Sequence, residues 1–352
     1  MRKAVIILLI LWWPAVSMSA FDKQYIGINY SPYHGGSYGS DYPVHPKDWG
    51  SYTQQDIEND LKVIMPKFNY LRTYTVQFNQ KYIVPSAAKY NIKVALGAYL
   101  WQPLNDPEYN KTHNYDQAKA WVESNHTYPE LNEAISEANA HPETVKCIVV
   151  GNEWIGKAAD GYLTPPDGIN YMSYVRGKLT GAAKNILVTT SERWGVLAAT
   201  DQATKALVAA ADQFVFANIY PFWDGAKIEN WKGQFLADYN ALKTAIGGKE
   251  IVVGETGWPT GVEPVAAQHT DLPSIPNQKR YILEYTQWAI ANQVTSFLFE
   301  MFDEPWKWQE GQNTSLKDGV GDHWGLYYTA GRTKWLGSLS LPGNNGLLLG
   351  QD

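Results

Sequence analysis

Cysteine is nearly absent: Cys147 is the single one in 352 residues, so no intrachain disulfide can form. It sits inside an apolar run and is expected to pack as a small hydrophobe. Among the seven histidines no pair has the short spacing of a metal-binding helix, so neither a metal nor another cofactor is expected. Basic residues are outnumbered, 29 Lys and Arg against 35 Asp and Glu, for a net charge of −6. That balance argues against nucleic acid as a partner. From residue 21 onward there is no run long enough to span a membrane, no low-complexity linker and no charge block. A single domain over residues 21–352 follows.

The first twenty residues differ from the rest. Arg2 and Lys3 precede an apolar stretch from Ala4 to Trp13, followed by Pro14 and small residues at Ser17, Ser19 and Ala20. Residues 1–20 therefore read as a secretory signal peptide, with an uncleaved anchor as the alternative. An exported chain is expected, secreted, periplasmic or associated with the cell surface or wall. Removal of residues 1–20 leaves 27 basic against 35 acidic residues, a net charge of −8. Asn110, Asn125 and Asn313 each open an N-glycosylation pattern, which matters only in a eukaryotic source.

What the chain does have is a set of short β-branched runs alternating with helical patterns. Strands are expected at 25–30, 70–74, 93–100, 145–153, 186–191, 213–220, 250–255 and 296–301. Between them, Thr53 caps a helix running to Met65, with Ile57, Leu61 and Ile64 on one face and Pro66 beyond it. A second helix, over 277–291, places Tyr281, Ile282, Tyr285, Trp288 and Ala289 on one side. Eight strands with crossover helices in about 300 residues point to an α/β fold of the (β/α)8 TIM-barrel type. A doubly wound open sheet is the competing architecture, but no Gly-rich phosphate loop follows the first strand.

Two of the runs are near twins. Ile148 to Glu153 and Ile251 to Glu255 each end in a glutamate. In a barrel these glutamates close strands four and seven, and strand ends of one polarity deliver their side chains to one face. Two carboxylates in one pocket suit the cleavage of a glycosidic bond, which needs a proton for the leaving oxygen and a negative group beside the anomeric carbon. Asn152, next to Glu153, can donate a hydrogen bond to a ring hydroxyl. Trp101, Trp223, Trp258 and Trp306 all follow strand ends and are candidates for sugar stacking or for the pocket wall; a purely structural Trp258 is the equal alternative.

The segments Val150-Gly151-Asn152-Glu153 and Gly254-Glu255-Thr256-Gly257-Trp258-Pro259 resemble the signature pair of glycoside hydrolase family 17, the β-1,3-glucanases and β-1,3-glucanosyltransferases. Similar segments recur at Gly27 to Tyr33, Arg72 to Tyr74, Asn218 to Trp223, Phe302 to Lys307 and His323 to Leu326. The resemblance implies a (β/α)8 fold and a retaining double-displacement mechanism, with Glu153 as acid/base and Glu255 as nucleophile. It places Tyr74 and Tyr220 beside the nucleophile, and Glu304 and Lys307 near the acid/base. Asp303 departs from the Asn common in plant members, and Glu192 and Glu300 are further acids without an implied role. The implied partner is a β-glucan chain. Endo-hydrolysis and glucanosyl transfer share the glycosyl-enzyme step, and a silent glucan-binding barrel is the non-catalytic alternative.

Overall fold

A computed structural model of the chain describes residues 26–34, 52–261, 273–309 and 320–336. The leader at residues 1–20 and the pattern at Asn313 lie outside the described residues. Eight parallel strands close into a barrel in sequence order: β1 Ile26–Asn29, β2 Tyr70–Arg72, β3 Lys93–Ala98, β4 Val145–Asn152, β5 Leu187–Arg193, β6 Phe214–Asn218, β7 Glu250–Thr256 and β8 Ser296–Leu298. The open doubly wound sheet is excluded, because β1 pairs with both β2 and β8. The fold is a (β/α)8 TIM barrel. Each expected run overlaps its strand: β5 and β7 run past the expected ends, to Arg193 and Thr256, while the ends of β2, β3, β6 and β8 are shorter than hydrophobicity alone suggested. Those ends turn into loops that carry polar and aromatic side chains into the barrel mouth.

Two apolar layers hold the barrel. Alternation along the strands points one set of side chains inward, where Tyr70, Ala95, Cys147, Val149, Phe214, Phe216, Val252 and Phe297 form one cluster. The other set meets the surrounding helices. The helix Gln54–Ile64 starts at Thr53, whose hydroxyl accepts the Asp56 N–H while Asp56 Oδ2 accepts the Thr53 N–H at 2.8 Å. It buries Ile57, Leu61 and Ile64 against the barrel, each contributing about 1.5–3 kcal/mol. The helix Ile275–Ala291 begins two residues earlier than its apolar pattern indicated, because Ser274 caps it and Pro276 fits its first turn.

Pairing is irregular at the ends of the strands that bear the polar residues. The register shifts between Val149 and Asn152 in β4, between Ala217 and Asn218 in β6, and between Val253 and Thr256 in β7. Such shifts twist a strand and re-aim its last side chains. Gly151 has φ 77°, and a Cβ there would lie 2.3 Å from Trp154. Glu153 follows in the left-handed region at φ 49°, a conformation that glutamate adopts at a cost. Glu153 therefore stands just past β4, not on its last residue, with its N–H donated to the Ser191 carbonyl at 3.1 Å.

Candidate active site

Arg72, buried at the end of β2, organises the barrel mouth. Its Nη1 lies 3.0 Å from Glu255 Oε1 and 2.7 Å from the Gly254 carbonyl. Its Nη2 donates to Asn152 Oδ1 at 2.8 Å and Ser191 Oγ at 2.9 Å. The guanidinium also sits over the rings of Tyr74 and Phe216, closing the top of the inner apolar layer. A charge at this depth requires an anion, and Glu255, whose side chain is 7% exposed, supplies it. The second Glu255 oxygen accepts the Tyr220 hydroxyl at 2.8 Å. Burial, then the Glu255 charge, raises the Tyr220 pKa well above its ordinary value, so the phenol stays a donor. Tyr74 is also raised by burial and then by Glu255, and its buried hydroxyl makes no well-formed hydrogen bond among the described residues.

Glu153 has a different environment. Its Oε1 accepts the Asn218 amide at 2.8 Å, and Oε2 lies 4.0 Å from Arg193 Nε. Its side chain is 35% exposed and lines the cleft. Partial burial, followed by repulsion from Glu255, raises its pKa above the usual carboxylate value. Asn152 Oδ1 collects Arg72, Ser191 at 3.0 Å and the Asn218 amide at 3.1 Å. Its own amide donates to nothing among the described residues and lines the cleft. The arrangement thus has one clamped anion, one carboxyl poised to hold a proton, and one amide presented to a ligand.

The cleft encloses about 920 Å³ and is lined by both glutamates together with Asn152, Tyr74, Tyr220, Trp101, Trp223, Trp306, Glu304 and Lys307. Trp258 is not among them: it is fully buried, packed edge-on to Phe222 and tilted against Tyr281. Its expected place on the pocket wall is corrected to the core, because the turn after β7 folds its side chain back under the β6 loop. Glu192 is likewise buried, accepting the Ile155 N–H at 2.7 Å, and burial raises its pKa to about 7. It supports the loop after β4 and does not reach the cleft.

Lys307 bridges Glu304 and Glu300, with Nζ 3.1 Å from Glu300 Oε2. All three side chains are nearly buried. Burial, then Glu304, pushes the Glu300 pKa well up. Burial opposes ionisation of Glu304 as well, but Lys307 and a hydrogen bond from Glu300 bring it below the ordinary value. One cation, one anion and one neutral carboxyl result. Arg72, Ser191, Asn218 and Glu300 carried no assigned role in the sequence. For Arg72 the signals were its place in one of the resembling segments and a basic residue closing an apolar strand, where a buried charge demands a partner.

A family model for the BtgE/BtgC glycoside hydrolase domain matches residues 27–325. The Aspergillus fumigatus protein named a probable glucan endo-1,3-beta-glucosidase btgC is 27% identical over 330 residues, covering 89% of this chain and 43% of that protein. The glucan 1,3-beta-glucosidase of Arthroderma benhamiae is 27% identical over 304 residues, covering 83% and 87%. This chain therefore spans less than half the length of the btgC relatives it matches. Two solved structures share the fold. An endo-laminarinase from Formosa Hel1_33_131 superimposes with a TM-score of 0.69 at 19% identity, covering 91% of this chain and 90% of the other. A glycoside hydrolase family 17 beta-1,3-glucanosyltransferase from Rhizomucor miehei gives 0.59 at 20% identity, covering 88% and 96%. The matched span runs from β1 to the segment after β8 and contains both glutamates, and the chain belongs to the BtgE/BtgC glycoside hydrolase domain family.

Proposed function

We propose that this protein is a retaining glycosidase that cuts β-1,3-glucan chains by double displacement, and that it is exported to reach them. The observation that carries the proposal is the unequal setting of two carboxyls in one cleft. Glu255 has both oxygens engaged, by Arg72 and Tyr220, and is held as an oriented anion. Glu153 has a raised pKa and faces the cleft. In the first step a Glu255 oxygen attacks the anomeric carbon, the bond to the leaving oxygen breaks, and that oxygen takes the Glu153 proton. Esterified Glu255 no longer repels Glu153, whose pKa falls, so Glu153 can then accept a proton from water as the water oxygen bonds to the same carbon and the ester bond breaks, releasing the Glu255 carboxylate. The Asn152 amide is suited to a hydroxyl beside that carbon, where a hydrogen bond strengthens as positive charge develops. The β-1,3-glucan names of the curated relatives, and a Rhizomucor miehei homologue of the fold solved with laminaritriose, support the choice of substrate.

Incubation with laminari-oligosaccharides, followed by NMR of the anomeric protons, tests this directly. Shorter products released first as the β-anomer are expected. Initial α-anomer would mean inversion and overturn the mechanism. Longer products beside shorter ones would assign glucanosyl transfer from the same intermediate, and bound but unchanged substrate would indicate a silent binding module.

A further inference from the structure

The β2–β3 side of the cleft carries aromatic rings that the two-step chemistry does not use. Phe78 lines the cleft, is 50% exposed and has φ 54°. A bulky side chain in the left-handed region is disfavoured and persists only where its surroundings impose it. Here they do: Val76, Asn79 and Gln80 on either side are buried, and the Val76 N–H donates to Glu130 Oε1 at 2.9 Å. The same oxygen accepts the Tyr99 N–H at 3.0 Å. Tyr99 leaves the end of β3 and is 43% exposed on the same cleft. Glu130 is fully buried on the helix Tyr128–Ala140, behind both loops.

One buried carboxylate thus ties the β2 and β3 loops together, and each loop presents a ring to solvent. In the closed strand order these loops lie across the mouth from β6, whose following loop carries Trp223. Rings of this size are ordinarily buried, and exposing two on anchored backbone suits a ligand with flat C–H faces, which a pyranose has. We propose that Phe78 and Tyr99 form a further glucosyl subsite on the β2–β3 wall, and that Glu130 is the positioning residue that fixes it. The proposal rests on β-1,3-glucan being the substrate.

Calorimetric binding of laminaritriose and laminarihexaose to the full chain carrying Glu255→Gln tests it without turnover. Added to that background, Phe78→Gly should weaken hexaose binding about five- to tenfold and triose binding much less. It should melt no lower than its parent, since glycine adopts a positive φ freely, whereas loss of a merely structural residue would lower the melting temperature. Glu130→Ala should reproduce the hexaose-selective loss. Glu130→Gln should restore it, because one amide oxygen can accept both N–H groups. Unchanged hexaose affinity in Phe78→Gly, or equal losses for both sugars, would overturn the subsite while leaving the glucan assignment standing. A Glu255→Gln parent that binds neither sugar would overturn both.

Discussion

Asn218→Ala tests Glu153 as the proposed acid. In the structure the Asn218 amide donates to one Glu153 oxygen at 2.8 Å and to Asn152 Oδ1 at 3.1 Å. The first of these bonds favours ionised Glu153 and lowers its pKa, against burial and Glu255, which raise it. Removing the amide therefore raises the Glu153 pKa further. A hydrogen bond to a charged group contributes about 1.5–3 kcal/mol, which would correspond to roughly one to two pKa units. Because the Glu153 side chain is 35% exposed, cleft water replaces part of the lost bond, and a shift of about half a unit to one unit is expected. In the proposed mechanism the proton on Glu153 is needed for catalysis, so activity is expected to fall as pH rises through its pKa. The alkaline limb of kcat/KM should accordingly move to higher pH by that amount. The maximum should drop by about ten- to a hundredfold, since Glu153 and Asn152 each lose an orienting contact. The assay is a kcat/KM profile on a laminari-oligosaccharide, with circular dichroism to verify folding. A folded variant whose alkaline limb stays in place or moves down would refute Glu153 as the acid. Asn218→Asp, which adds a negative charge at the same spot, should move the limb further in the same direction.

Glu192→Gln should flatten part of the pH dependence of stability. The folded carboxyl titrates at about 7 and the unfolded one near 4.5, so the folded state keeps a proton the unfolded state has lost, and stability falls as pH rises through that window. Urea denaturation at pH 4 and pH 8 should show the variant gaining about 2–3 kcal/mol on the parent between the two; a constant gap would exclude the effect. Lys307→Met leaves Glu304 and Glu300 buried without their cation and should cost about 3–5 kcal/mol at neutral pH. The contribution of the Glu304 pair is present above the ordinary 4.5 and lost as pH falls through the depressed folded value, so the deficit should shrink in acid denaturation series. Gly151→Ala combines φ 77° with a Cβ 2.3 Å from Trp154 and should cost about 2–4 kcal/mol, read as a lower melting temperature.

The β-branched runs and their spacing were enough to specify eight strands in a barrel, because a strand buried on both faces writes its burial directly into hydrophobicity. The same logic put Glu153 and Glu255 on one face, since strand polarity in a barrel leaves no other choice. Strand ends were less legible. Glu153 lies beyond β4 in a left-handed conformation, and the register shifts that aim it arise between neighbouring strands. Trp258 read equally as cleft wall, since it follows a strand end, and as a structural residue; the turn sends it inward against Tyr281.

Roles that depend on convergence were beyond sequence. Arg72 reaches Glu255 across 183 positions and Ser191 across 119, and no local pattern records which distant side chain a buried guanidinium will meet. Glu300 became the neutral partner of Lys307 only once packing had enclosed both it and Glu304, since burial and proximity, not residue type, decide which carboxyl keeps its proton. Sequence determined the number, order and polarity of the strands, and with them the face on which the two glutamates stand. Tertiary structure decided which of the two is clamped as an anion and which can hold a proton, because pKa and orientation are set by groups that only folding brings within a few ångströms.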